Sequence, residues 1–184
     1  MRNGRGSALA FVSVGSNIEP HSNVVAALKA LMERVRVIAS STFYETAPIG
    51  SQAQPAFVNG VWTLRTDLAP IEIRDALLRP IEDALGRRRV ADKFAPRTID
   101  LDLILYDDLV LTDGAIRLPH GDIARPFVSV PIRELLKTGS LDVAPDLRDR
   151  ISRLLDPYPA VDPPGKLLEG LTRHLQGMID RTLS

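Results

Sequence analysis

The chain has 184 residues, 45% apolar and 25% charged, with 23 Lys+Arg against 23 Asp+Glu and no cysteine. That length suits one domain with a packed core, and the zero balance leaves no global field to draw the protein to nucleic acid or an anionic membrane. The missing cysteines exclude disulfides, thiolate metal sites and a cysteine nucleophile. The start, MRNGRGS, is basic but short, and the apolar stretch after it is interrupted by Ser13, which is not the form of a signal peptide. No apolar run nears the ~20 residues of a membrane span, so a soluble cytoplasmic protein is expected.

Ala8–Gly15 is β-rich and ends in the turn cluster Gly15-Ser16-Asn17. Val24, Leu28, Leu31, Met32 and Val35 recur at helical spacing and predict a helix over about 20–34. A second strand is expected over 37–46, then a loop over 47–55 (APIGSQAQP), then a third strand over 57–66. Pro70 sits where proline opens a helix, Ile71, Leu77, Leu78, Ile81 and Leu85 give that helix its apolar side, and Gly86 ends it. The loop 86–96 (GRRRVADKFAP) is dense in positive charge. A fourth strand follows over 99–106, then a small hairpin near 109–118, a helix over 126–136 and an irregular or weakly helical stretch over 142–155. Residues 156–165 hold four prolines and read as a linker before a C-terminal amphipathic helix. The division expected is a domain over 8–157 and an extension over 158–184. The order β-α-β-β-α-β is the ferredoxin-like α+β pattern, an antiparallel sheet with helices on one face.

The fourth strand carries two carboxylates, in FAPRTIDLDLILYDD. Side chains alternate along a strand, so Ile99, Leu101, Leu103 and Leu105 are expected to face the core. Asp100, Asp102, Ile104 and Tyr106 then face the other way. Two carboxylates standing side by side repel. A divalent cation reverses that repulsion, and Mg²⁺ is commonly held by one or two carboxylates plus substrate phosphates. Alone, such a pair more often marks solvated positions on a half-exposed sheet. Arg97, just before the pair, and Arg87, Arg88, Arg89 and Lys93 in the basic loop shift the reading. Acidic and basic groups so placed can divide the charge of a polyphosphate between metal and guanidinium. No Walker or kinase glycine loop is present.

These residues belong to a wider pattern: FVSVGSN (Phe11–Asn17), SSTFYETAPIGSQAQPAFVNGV (Ser40–Val61), E-x-x-x-GRRR (Glu82–Arg89), KFAPRTIDLDLIL (Lys93–Leu105) and LPH (Leu118–His120). Together and in this order they resemble the 6-hydroxymethyl-7,8-dihydropterin pyrophosphokinases, folate-pathway enzymes of ferredoxin-like fold. The resemblance implies an ATP-dependent diphosphotransferase that moves pyrophosphate to the pterin's hydroxymethyl group and releases AMP. It implies Asp100 and Asp102 as ligands of two Mg²⁺ ions, with Arg87 and Arg97 completing the catalytic set. It implies ATP contacts from Glu82, Arg87, Arg89, Phe94, Arg97, His120 and Arg125. It implies pterin contacts from Thr46, Ala47, Ile49, Phe57, Asn59, Asp100 and Phe127. The loops 47–55 and 86–96 are then expected to close as lids.

The chain departs from the family pattern at three places. Ala95 replaces a glycine before Pro-Arg, Arg79 stands where a glutamine is common, and HGDIARPF after His120 is one residue shorter. The partners implied are the two small-molecule substrates, with no nucleic acid or membrane. A monomer is expected, with a dimer through the C-terminal helix as the other arrangement. The rival reading is a catalytically weakened paralogue that binds pterin or nucleotide as a regulator. A ferredoxin-like nucleic-acid binder needs a basic, aromatic sheet face, and two aspartates on that face count against it.

Overall fold

A computed structural model describes residues 7–50, 54–88, 95–112, 114–137, 139, 141–158 and 164–183. Six strands form one antiparallel sheet. β1 (Ala8–Ser16) lies between β4 (Phe57–Thr66) and β5 (Asp100–Tyr106). The far edge of β4 pairs in succession with β2 (Arg36–Ser40) and β3 (Tyr44–Thr46), and β3 pairs with β6 (Lys166–Leu167). The expected ferredoxin-like arrangement is therefore present.

α1 (Pro20–Met32) begins on a proline, whose fixed φ suits a first helical turn, and buries Val24, Leu28 and Leu31 completely. Burying each such side chain is worth about 1.5–3 kcal/mol. α2 comprises Pro70–Glu72, a wider π-helical turn over Ile73–Leu78, and Arg79–Ala84. The widening has a local cause. Pro80 has no N–H, and its ring would press on the carbonyl of Ala76 in a regular helix, so the N–H of Arg79 reaches back five residues to Arg74. Gly86, at φ +75°, ends the helix. Its N–H donates to the carbonyl of Asp83 and the next one, Arg87, to that of Glu82, which turns Arg87 back toward the sheet.

Alternation along β1 sends Ala8, Ala10, Val12 and Val14 into one core with α1 and α2. The same core holds Leu171, Leu175, Met178 and Ile179 of the C-terminal helix α5 (Glu169–Leu183). Leu9 and Phe11 enter a second core on the opposite face. There α3 (Pro126–Lys137) supplies Val128, Ile132, Leu135 and Leu136, and α4 (Pro145–Leu155) supplies Ile151 and Leu155. The helices of the βαββαβ unit share one face as expected, α5 joins them there, and α3 and α4 cover part of the other face.

Several boundaries differ from expectation. The strand expected over 37–46 is two strands, because at Ser41 the ladder is interrupted: its N–H donates to the Val61 carbonyl, but its Oγ, not its carbonyl, accepts the N–H of Val61. The stretch over 142–155 contains a regular helix, since Pro145 starts it and Ile151 and Leu155 anchor it in the second core. The hairpin near 109–118 reduces to one bridge, Leu111 to Leu118. Strict alternation fails in β5, where Phe11 pairs with Leu105 and Val12 with Leu103, leaving Ile104 as an extra residue. Leu105, expected beside Leu103, therefore enters the second core with Ile104, and Tyr106 enters the first. The bulge lies beyond Asp102, so the two aspartates keep their expected face.

Gly60 faces Phe43, which is fully buried against Trp62 with ring centroids 6.1 Å apart. A Cβ at Gly60 would lie 2.5 Å from that ring. Gly60→Ala is expected to lower stability by about 1–3 kcal/mol through overpacking. Urea denaturation checks this, and an unchanged midpoint would contradict it.

Candidate active site

The second face of the sheet changes character along its length. Under α3 it is apolar, with Leu9 and Phe11 of β1 and Val61 of β4. Beyond the start of α3 the same alternation continues as Ser13 and Gly15 on β1, Asn59 and Phe57 on β4, and Asp102 and Asp100 on β5. The register places Ser13 opposite Asp102, and Gly15 between Asn59 and Asp100. A side chain at Gly15 would crowd this row, since a Cβ there would lie 3.0 Å from Asn59 Oδ1. Glycine thus keeps open the floor between an amide and a carboxylate.

That floor belongs to a cavity of about 330 Å³. It is lined by Ser13, Val14, Gly15, Thr46, Ala47, Ile49, Phe57, Asn59, Arg97, Asp100, Asp102, Asp122, Arg125, Phe127 and Val128. All seven residues expected to contact pterin line it. Asn59 Nδ2 donates to Thr46 Oγ1 at 2.8 Å, a buried bond that fixes the amide's orientation. Phe57 lies beneath the Arg97 guanidinium, 5.7 Å from carbon to ring centroid.

Asp100 is shared between two cations. Arg97 Nη1 is 2.5 Å from Asp100 Oδ2, and Arg87 Nη2 is 3.1 Å from Asp100 Oδ1. Both arginines are mostly buried, at 14% and 15% side-chain exposure for Arg87 and Arg97. Arg87 Nε is buried without a partner among the described residues, a donor suited to an anionic oxygen. Among the described residues, no such cation stands against Asp102. Burial and the neighbouring charge of Asp100 push its carboxyl up to about 6. His120 opposes that rise, and Asp122 and Glu82 add to it. Two hard carboxylates, one of them short of positive charge, form a donor set that fits Mg²⁺ completed by substrate phosphates.

The remaining expected residues fall into three groups. Arg125 lines the cavity, 3.8 Å from Asp122. His120 sits beside it, its Nδ1 accepting the N–H of Asp122 at 3.3 Å. Glu82 is elsewhere: it is 6% exposed, and its Oε1 accepts the N–H of Leu101 at 3.0 Å. Its carboxylate ties the end of α2 to β5, between the two aspartates. Arg89 and Phe94 lie outside the described residues.

Asn17 received no role from the sequence beyond its turn. It is 3% exposed and joins three segments. Its Oδ1 accepts the N–H of Arg97 at 2.8 Å, and its Nδ2 donates to Gln54 Oε1 and to the Pro55 carbonyl. The backbone N–H groups of Asn17 and Ile18 both donate to the Arg97 carbonyl. Ser16 Oγ donates to the carbonyl of Thr98 at 2.5 Å. The end of β1 therefore sets the position of Arg97 and of the 47–55 loop's exit. Asp122 was also missed as a wall residue. A lone aspartate in a turn carries no signal until the chain folds back onto β5.

The raised Asp102 pKa has a consequence for the metal-free protein. Its folded value lies above the ordinary 3.8, so the folded chain holds this proton more tightly than the unfolded chain. Its stabilising contribution is full below about pH 4 and is lost as pH rises through about 6. In chelator, the parent should lose on the order of 1–2 kcal/mol more stability than Asp102→Asn between pH 5 and pH 8. Denaturant titrations of both proteins at the two pH values check this, and equal pH slopes would contradict it.

The model of the 7,8-dihydro-6-hydroxymethylpterin-pyrophosphokinase family matches residues 11–137. A 2-amino-4-hydroxy-6-hydroxymethyldihydropteridine pyrophosphokinase of Pseudomonas aeruginosa is 40% identical over 142 residues, covering 75% of this chain and 82% of that one. The protein of the same name from Haemophilus influenzae is 37% identical over 130 residues, covering 68% and 80%. The folic acid synthesis protein fol1 of Schizosaccharomyces pombe is 36% identical over 156 residues, but this chain spans only 21% of it. Among solved structures, a Plasmodium falciparum HPPK-DHPS triple mutant superposes with a TM-score of 0.56 at 12% identity. It covers 88% of this chain, which spans 46% of that one, and at such identity it shows the fold alone. The family match and the two long relatives settle membership: the chain belongs to the 7,8-dihydro-6-hydroxymethylpterin pyrophosphokinase family.

Proposed function

We propose that the protein transfers pyrophosphate from ATP to the hydroxymethyl group of 6-hydroxymethyl-7,8-dihydropterin, releasing AMP, in folate biosynthesis. One observation carries this reading beyond family membership. A single cavity joins an amide-and-aromatic wall (Asn59, Thr46, Phe57, Phe127) to the carboxylate pair and Arg97. The wall suits a flat heterocycle with donors and acceptors on one edge, which a side-chain amide can match with both of its functions. The charged end suits a polyphosphate.

The pterin hydroxyl oxygen attacks the β-phosphorus of ATP, a new O–P bond forms, and the bond from the β-phosphorus to the oxygen bridging it to the α-phosphorus breaks. AMP leaves with that oxygen. Asp100, at the join between wall and charged end, is the carboxylate placed to accept the proton of the attacking hydroxyl, and a cation held there would lower that hydroxyl's proton affinity. Arg87 and Arg97 take up negative charge on the transferring group, and positioning supplies most of the remaining acceleration. Two Mg²⁺ ions held by Asp100 and Asp102 would supply charge neutralisation at the phosphates. Arg125 and His120 are assigned to the nucleotide, and the family resemblance assigns Arg89 and Phe94 to it as well. The substrates are both small molecules.

The test is AMP release from ATP and Mg²⁺ with and without hydroxymethyl-dihydropterin. Pterin-dependent AMP is the expected result, and pterin binding without AMP release would point to a regulatory paralogue instead. Asp100→Asn should cost on the order of 10³-fold or more in turnover, about 4 kcal/mol of barrier, while pterin still binds. Near-parental turnover in that variant would remove Asp100 from the mechanism.

A further inference from the structure

The family match ends at residue 137, yet the chain returns to the sheet beyond it. β6 adds to the outer edge of β3, pairing Leu167 with Tyr44 and Lys166 with Glu45. β3 is only three residues long, and on its other side it pairs Tyr44, Glu45 and Thr46 with Asn59, Val58 and Phe57. So short an edge strand would otherwise expose its outer backbone groups and open readily. This strand carries Thr46, the residue whose Oγ1 holds the Asn59 amide, and leads into Ala47 of the cavity wall.

The stretch between β2 and β3 is held from the same side. Thr172 Oγ1 accepts the N–H of Phe43 at 2.9 Å, and Gln176 Oε1 accepts the N–H of Ser40 at 3.0 Å. The N–H of Leu168 donates to the Phe43 carbonyl at 2.9 Å. The other end of the Gln176 amide donates to Asp180 Oδ1 at 2.7 Å, which fixes its orientation. Gly165 lies directly on β3, where an added Cβ would be 2.3 Å from the carbonyl oxygen of Glu45. Leu175 and Ile179 of the same helix are fully buried. These contacts converge on one short length of chain, and that length leads directly into the wall assigned to the heterocycle.

We infer that residues 164–183 are a positioning clamp for the pterin-side wall: they hold β3 and its approach in register, and so set affinity for the heterocycle without touching it. The inference rests on the proposed function for the identity of the ligand, and on the contacts of the clamp alone for its effect on β3. It separates the two substrates, because the carboxylate pair sits on β5, Arg97 just before it and Arg87 just after α2, and the clamp's hydrogen bonds and strand pairing among the described residues go to β2, β3 and the stretch between them.

The test uses the full chain carrying Gly165→Ala or Thr172→Val, with Thr172→Ser as the variant that keeps the hydroxyl acceptor. Binding of 6-hydroxymethylpterin and of a non-hydrolysable MgATP analogue is titrated, and amide hydrogen exchange is followed in the ligand-free proteins. The first two variants should weaken pterin binding about tenfold and leave nucleotide affinity within about twofold. They should speed exchange at residues 43–47 and leave the β1–β5 pairs protected, and Thr172→Ser should behave as the parent. Unchanged pterin affinity, or equal loss of both ligands, would overturn the clamp. If the parent itself binds no pterin, the proposed function fails. The clamp is then judged on exchange alone: faster exchange confined to 43–47 supports it, and unchanged exchange overturns it.

Discussion

Two carboxylates on the same face of one strand cannot both be ionised at little cost unless something positive stands beside them. Asp100 and Asp102 occupy such positions on β5, and among the described residues only Asp100 has cations against it. Asp100 has Arg97 and Arg87, while Asp102 is left with its carboxyl pushed up to about 6. Much of the surrounding structure serves this imbalance. The helix end at Gly86 turns Arg87 inward, Asn17 and Ser16 hold the backbone around Arg97, and Glu82 ties β5 to α2 through Leu101. The remaining charge deficit is the feature a cation with bound phosphates would meet.

The sheet also explains why the site lies where it does. One face is covered along its length by α1, α2 and α5, and the other only where α3 and α4 reach. Past that cover, the side chains change from Leu9, Phe11 and Val61 to Ser13, Gly15, Asn59 and the aspartates. The cavity is the uncovered end of a face whose other end is core. Gly15 keeps its floor low, with the amide on one side and a carboxylate on the other. A flat molecule and a highly charged one can therefore meet over a single row of the sheet.

Much of this was legible in the sequence because it depends on local pattern. The helical spacing of Val24, Leu28 and Leu31, Pro70 at a helix start, Gly86 at its end and the D-x-D alternation each specify local geometry without knowledge of the rest. The seven residues expected to contact pterin come from the family pattern, and all of them line the cavity. What escaped depends on long-range pairing. The bulge at Ile104 is decided by register with β1, not by the residues of β5. Glu82 is expected as an ATP contact until the fold places the Leu101 N–H against its Oε1. Asn17 looks like an ordinary turn residue until two loops converge on it. The division of the second strand follows from Ser41 turning its hydroxyl to Val61 and from a C-terminal helix more than 120 residues away that supplies partners to Ser40 and Phe43.

We propose that Asp102 takes its positive partner from a nucleotide-bound cation. Proton release on binding a non-hydrolysable MgATP analogue tests this most directly, measured by calorimetry at pH 6 in two buffers of different ionisation enthalpy. The parent should release about half a proton more than Asp102→Asn, since a carboxyl with its pKa pushed up to about 6 is about half protonated there and must ionise to bind metal. Equal proton release by the two proteins, with the analogue bound to both, would contradict it.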